Sequence, residues 1–245
     1  MSTRALYRED SYLQHCDATV THVSEMGIEL DQTVFYPLGG GQAGDRGTLT
    51  LDDGTVLNIQ ETRKSKRDGA TPDDSVHVAS DPLPDSVTVG TRVRAQIDWD
   101  YRHRLMRFHT ATHLLCALVP ESVNGCSITG EYARMDFAMS DPLDKGQLQQ
   151  GLDDLCAKAL STETEWITDD ELKSNPDLVR TMSVQPPIGF GKVRLLRIAG
   201  TDLQPCGGTH VRNTSEIAPV VVGKIEKKSK NSRRVTLRFG DADGR

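Results

Sequence analysis

Residues 98–120 read DWDYRHRLMRFHTATHLLCALVP, and the character of the chain changes there. Apolar side chains recur at helical spacing at Leu105, Phe108, Ala111, Leu115 and Leu118. Asp98 or Asp100 can cap the start, and Pro120 ends the run. Upstream, the chain reads as short strands. Thr48-Leu49-Thr50-Leu51, then Asp52-Asp53-Gly54, then Val56-Leu57-Asn58-Ile59 is a hairpin signal with Asp-Gly in the turn. Residues 61–86 are polar and punctuated by Asp, Pro and Ser, which predicts a surface excursion before Val87–Ile97 returns to strand. Downstream, Tyr132–Phe137 reads as strand. A helix is expected after Ser140-Asp141-Pro142, with Leu148, Leu152, Leu155 and Ala159 as its buried stripe. Further strands are expected over Thr164–Ile167, Val193–Ile198, Val220–Ile225 and Val235–Phe239. The fold class that follows is α+β: a small N-terminal β-barrel-like domain over residues 1–95, then an antiparallel sheet packed with helices over 96–245.

Composition narrows the function classes. The chain has 245 residues, 36% hydrophobic and 26% charged, enough to bury a core without staples. No apolar run approaches membrane-spanning length, and the N-terminus has no apolar leader, so a cytoplasmic protein with no membrane partner is expected. Five cysteines, widely spaced at 16, 116, 126, 156 and 206, argue against a disulfide framework. Net charge is −6, but residues 224–238 hold seven Lys/Arg and one Glu. That basic run on an acidic body is a candidate polyanion contact, and equally a solvated hairpin.

His109-Thr-Ala-Thr-His113 places two imidazoles one turn apart on one helix face, half of a transition-metal site. A chance surface pair has the same spacing. Thr110 rather than Glu follows the first His, so the zincin protease pattern is absent. Pro205-Cys206-Gly207-Gly208-Thr209-His210 can turn a thiolate and an imidazole toward one point. Together the two pairs make an N/S donor set that suits one zinc per chain, brought together by the fold. Cys116, three residues beyond His113, could face the metal, though a core role is the better expectation.

Phe35-Tyr-Pro-Leu-Gly39-Gly40-Gly41-Gln42-Ala-Gly44-Asp45 formally contains G-x-G-x-x-G. Another strand follows it rather than a helix, which excludes a dinucleotide site. The loop can instead be a strained turn between strands or press its backbone against a ligand or another domain, and on the latter reading Gly39, Gly40, Gly41 and Gln42 are candidate substrate contacts. Asn124, Ser127 and Thr129 could line a pocket or simply bond within their loop.

H-T-A-T-H-L-L, followed about ninety residues later by C-G-G-T-H-V, resembles the editing domain of alanyl-tRNA synthetase. The likeness continues through Ala133–Phe137, Asp202–Pro205, Thr214–Ile217 and Arg233-Arg234-Val235. At this length the free-standing AlaX homologues are the nearer match, in the longer form that adds a Gly-rich β domain. A chain this short leaves no room for an aminoacylation domain, so charging of tRNA is not expected.

The resemblance implies hydrolysis of the ester on mischarged tRNA(Ala), chiefly Ser-tRNA(Ala) with Gly-tRNA(Ala) as the second candidate. It implies that His109, His113, Cys206 and His210 hold zinc. Zinc-bound water would then be the catalytic group, with no separate side-chain base assigned; four ligands bound at once would instead make the zinc a substrate positioner. Serine exceeds alanine by one hydroxyl, and Asn124, Ser127 and Thr129 are the candidates to bond it. The tRNA partner directs attention to Lys227, Lys228, Lys230, Arg233 and Arg234, of which strand alternation allows about two or three to touch RNA. Two other readings use the same residues: a zinc-stabilised RNA-binding module without catalysis, and a zinc hydrolase of another ester.

Overall fold

The structure is a computed structural model that describes residues 2–180 and 191–240. It divides into two compact units, Met1–Gly39 with Ala43–His103, and Gly40–Gln42 with Arg104–Arg245.

The first unit is built on a closed six-stranded barrel: β1 (His15–Ser24), β2 (Gly27–Leu30), β3 (Gly47–Leu51), β4 (Val56–Lys64), β5 (Ser75–Ala79) and β6 (Arg92–Ile97). The order around it is β1-β2-β5-β4-β3-β6, antiparallel throughout. Period-two alternation explains which way the strands face. On β6, Val93, Ala95 and Ile97 point inward while Arg92, Arg94 and Gln96 are exposed; on β4, Leu57 and Ile59 do the same. Each such Leu or Ile contributes on the order of 2 kcal/mol relative to exposure. The Asp53-Gly54 turn forms as expected, with Gly54 at φ +86° and Asp53 Oδ1 accepting from the Thr55 N–H at 2.8 Å.

The polar stretch 61–86 corrects the surface reading. It completes β4 and supplies β5, on which Ser75, Val76 and His77 are buried. Composition concealed the strand because two of its buried positions are polar, and the partners of His77 lie far off in the sequence. His77 Nδ1 donates to the Ile28 carbonyl (3.0 Å). Its Nε2 accepts from the Thr33 hydroxyl (2.8 Å), whose oxygen is already taken by the Phe35 N–H. Burial pushes the His77 imidazole down to about 4. The neutral ring is therefore favoured by folding, and its stabilisation is full above about pH 6.5 and lost as pH falls toward 4. Urea unfolding should show the wild type losing about 2 kcal/mol more than His77→Gln between pH 7.5 and 5. Parallel pH profiles for the two proteins would refute this.

The first unit also buries an ion pair. Arg102 and Asp45 are both fully buried; the guanidinium grips both carboxylate oxygens and donates to the carbonyls of Ser11 (2.9 Å) and Val34 (2.7 Å). Asp45 Oδ2 also accepts from the Tyr36 N–H at 2.5 Å, which closes the Gly-rich segment on itself.

Helix α1 spans Trp99–Leu118, and of the two possible caps Asp98 is used, its Oδ1 accepting from the Tyr101 N–H at 3.0 Å. In the second unit, β7 (Val123–Ile128), β8 (Tyr132–Phe137), β12 (Val220–Ser229) and β13 (Ser232–Phe239) form an antiparallel sheet ordered β12-β13-β8-β7. A second sheet is ordered β9-β10-β11, from Thr162–Thr168, Lys192–Ile198 and Asp202–Pro205. Helix α2 begins later than expected, at Lys145–Ala157, because Asp144 rather than Asp141 caps it, accepting from the Gln147 N–H at 2.8 Å. Its buried stripe is Leu148, Leu152 and Cys156; Leu155 is half-buried, and Ala159 lies exposed past the helix end at φ +49°. No helix among the described residues is long and apolar enough to cross a membrane.

Candidate metal centre

Helix α1 is buried almost all round from Leu105 to Cys116, so His109 and His113 project into protein rather than solvent. The loop after β11 brings Cys206 and His210 to them. One of its glycines is required by packing: a Cβ at Gly208 would lie 2.2 Å from His109 Cε1, whereas one at Gly207 would meet nothing within 4 Å. Arg194 on β10 pins the loop by donating to the carbonyls of Cys206 (2.9 Å) and Gly208 (2.8 Å).

Cys206 Sγ lies 3.4 Å from His109 Nε2 and 3.2 Å from His210 Nε2. One donor atom from each of His109, His113, Cys206 and His210 falls within 4.8 Å of the other three, so the cluster could hold a metal. The three imidazoles are buried and Cys206 half-buried. Burial alone would raise the Cys206 thiol, but the histidines around it, His109 foremost, outweigh it and hold the thiol well below its usual range. A thiolate is the form that ligates metal. Burial pushes His210 down to about 3, keeping it a neutral donor. Cys116 stands outside the four donors; burial pushes its thiol up to about 12, as befits a core residue.

Each imidazole bonds an oxygen through Nδ1, leaving Nε2 for the cluster. His109 Nδ1 donates to Gln42 Oε1 at 2.7 Å. His113 Nδ1 donates to Asp202 Oδ2 at 2.8 Å. His210 Nδ1 donates to Thr110 Oγ1 at 3.3 Å, the hydroxyl proton being spent on the Met106 carbonyl. Asp202, Thr110 and Arg194 escaped the reading of the sequence as site residues. Asp202 had one available signal, a carboxylate four residues before Cys206.

The other candidates are placed as follows. Gly39 belongs to the first unit, where its carbonyl accepts from the Tyr36 hydroxyl at 2.7 Å. Gly40 and Gly41 take φ +59° and +85°, and a Cβ on Gly41 would meet the Cys126 carbonyl at 2.9 Å. Gln42 is fully buried. Asn124 is exposed and Ser127 half-buried on β7, while the Thr129 hydroxyl serves the turn to β8, donating to the Tyr132 carbonyl at 3.1 Å. Lys227, Lys228 and Lys230 are exposed. Arg233 is buried and donates to the Ser229 and Ser232 carbonyls, and Arg234 grips Asp136 at 2.6 and 2.7 Å.

A family model described as the threonyl and alanyl tRNA synthetase second additional domain matches residues 193–236, and one described as tRNA synthetases class II (A) matches residues 8–101. The alanyl-tRNA editing protein AlaX-M of Methanosarcina barkeri is 33% identical over 98% of this chain and 100% of its own length. The AlaX-M of Saccharolobus solfataricus is 30% identical, covering 95% and 97%. The alanine–tRNA ligase of Sulfurisphaera tokodaii is 31% identical over 98% of this chain, which spans 26% of the ligase.

Proposed function

Since the chain belongs to the family of AlaX-M alanyl-tRNA editing proteins, we propose that it hydrolyses the aminoacyl ester of mischarged tRNA(Ala), chiefly the seryl ester and secondarily the glycyl one, at a zinc site. The observation that carries this reading is the convergence of His109, His113, Cys206 and His210. Three imidazole Nε2 donors and one thiolate match zinc's preference for N and S ligands. When bound there, zinc supplies Lewis acidity to an ester carbonyl or to water.

The chain's own residues do the rest. Asp202 and Thr110 hold His113 and His210 by hydrogen bonds, and Arg194 holds the loop that carries Cys206. Rejection of alanine needs a group that bonds the seryl hydroxyl and is left unpaired without it. The turn claims the Thr129 hydroxyl, which leaves Asn124 and Ser127 as the contacts to test. A cytoplasmic site of action accords with a translation substrate.

Deacylation of Ser-, Gly- and Ala-tRNA(Ala), with and without a chelator, tests the reading. The expected result is zinc-dependent release of serine with Ala-tRNA(Ala) spared. Zinc loss that unfolds the chain, with no turnover by the loaded protein, would favour a binding module. Turnover of other esters but not these would favour a different hydrolase.

The tRNA partner is assigned to the β12–β13 hairpin, through Lys227, Lys228 and Lys230. Arg233 and Arg234, tied to backbone and to Asp136, shape this surface. Lys228→Glu/Lys230→Glu should raise the KM for seryl-tRNA and flatten its salt dependence by about one unit of slope for each phosphate no longer neutralised. Hydrolysis of a small seryl ester should not change. Unaltered tRNA affinity and salt slope would move the RNA surface elsewhere, with Lys64, Lys66 and Arg67 the next to test.

A further inference from the structure

The Gly-rich motif holds a residue whose side-chain amide bonds one of the four donors and the loop that carries two of the others. Gly40–Gln42 belongs to the second unit, where the Gly41 carbonyl accepts from the Ile128 N–H at 2.7 Å and Gln42 bridges Ile128 in parallel register. The positive φ of Gly40 and Gly41, and the 2.9 Å approach of Gly41 to the Cys126 carbonyl, are what bring the chain this close to β7. The residue delivered is Gln42, with no exposed surface.

Its amide orientation is settled by its neighbours. Gln42 Oε1 accepts from the Thr209 N–H at 3.1 Å, and Nε2 donates to Thr209 Oγ1 at 2.8 Å. The atom facing His109 Nδ1 at 2.7 Å is therefore the amide oxygen, which can only accept. His109 must carry a proton on Nδ1, and the ring nitrogen it turns toward Cys206 is Nε2. The amide cannot swing away, because Thr209 holds both its ends and Gly208 packs against it. A Cβ on Gly208 would lie 2.9 Å from Gln42 Oε1.

We infer that Gln42 is a positioning residue of the metal centre, fixing the tautomer and ring orientation of His109 so that Nε2 is presented to the metal. This assigns the Gly-Gly-Gln segment a role at the metal's outer sphere instead of direct contact with substrate. It also makes the three imidazoles unequal. His113 is backed by a carboxylate, His109 by a neutral amide and His210 by a hydroxyl. Partners of this kind commonly change metal affinity by about 10–100-fold.

The inference rests on the metal reading above, and zinc affinity of the full chain separates the two. Affinity is measured by competition with a chromophoric chelator, and the ligand field by the spectrum of the cobalt(II) form. Gln42→Met keeps the length and removes the acceptor. It should bind zinc about 10–100-fold more weakly and shift the cobalt bands. Gln42→Glu restores an acceptor to His109 and should return zinc affinity to within a few-fold of wild type. If Gln42→Met fails to fold, Gln42→Asn carries the same test, because it keeps the amide but withdraws the oxygen by one methylene. Wild-type affinity and an unchanged cobalt spectrum in Gln42→Met overturn the inference alone. Equal losses in the Met and Glu variants also overturn it, since shape rather than the acceptor would then matter. A wild-type chain that binds no zinc brings down the metal reading and this inference together.

Discussion

Cys206→Ala and His113→Ala chains, purified in zinc, should carry less than about a tenth of the wild-type metal and lose seryl-tRNA deacylation by about a thousandfold or more. The size of the effect follows from the cluster's construction. Removing one donor from a set of four confined within 4.8 Å leaves three imidazoles or two imidazoles and a thiolate. Loss of the metal's polarising charge costs several kcal/mol at the transition state, and each 1.4 kcal/mol is about a factor of ten in rate. Metal analysis and turnover on one preparation, with circular dichroism to confirm folding, make the check. Full zinc in both variants would show that these residues do not share a metal.

Asp45→Ala should destabilise the first unit by about 3–5 kcal/mol, a loss comparable to much of a domain's net stability. Asp45 and Arg102 are both fully buried, and deleting the carboxylate leaves the guanidinium to the Ser11 and Val34 carbonyls among the described residues. The Tyr36 N–H loses its partner as well. The double variant Asp45→Leu/Arg102→Met removes both charges and should recover most of the loss, because desolvation of the pair offsets much of its attraction. Urea unfolding of the three proteins gives the comparison. A loss below about 1 kcal/mol in Asp45→Ala would mean that water reaches Arg102.

What the sequence determined is what short windows encode. The i, i+4 spacing put His109 and His113 on one helix face, and the two glycines of Cys206–His210 announced a loop able to fold a thiolate and an imidazole together. Short strand runs, with the Asp53-Gly54 turn between two of them, were enough for a barrel-like first part. In all of these a residue's environment depends on neighbours within about one turn or one strand repeat.

What tertiary structure decided lies outside any such window. Segment 75–79 is a strand whose buried His77 finds its hydrogen bonds in the barrel, at Ile28 and Thr33, although its polarity argues for a loop. Arg233 reads as a cation for RNA, yet its place on β13 buries it against backbone carbonyls. The partners of the imidazoles stand 67 residues from His109, 89 from His113 and 100 from His210. A hydrogen bond needs an acceptor at about 2.7–3.3 Å, and no local propensity places one across such separations. Only the closed fold could show that Gln42, which reads in the sequence as the end of a ligand-binding turn, faces a histidine.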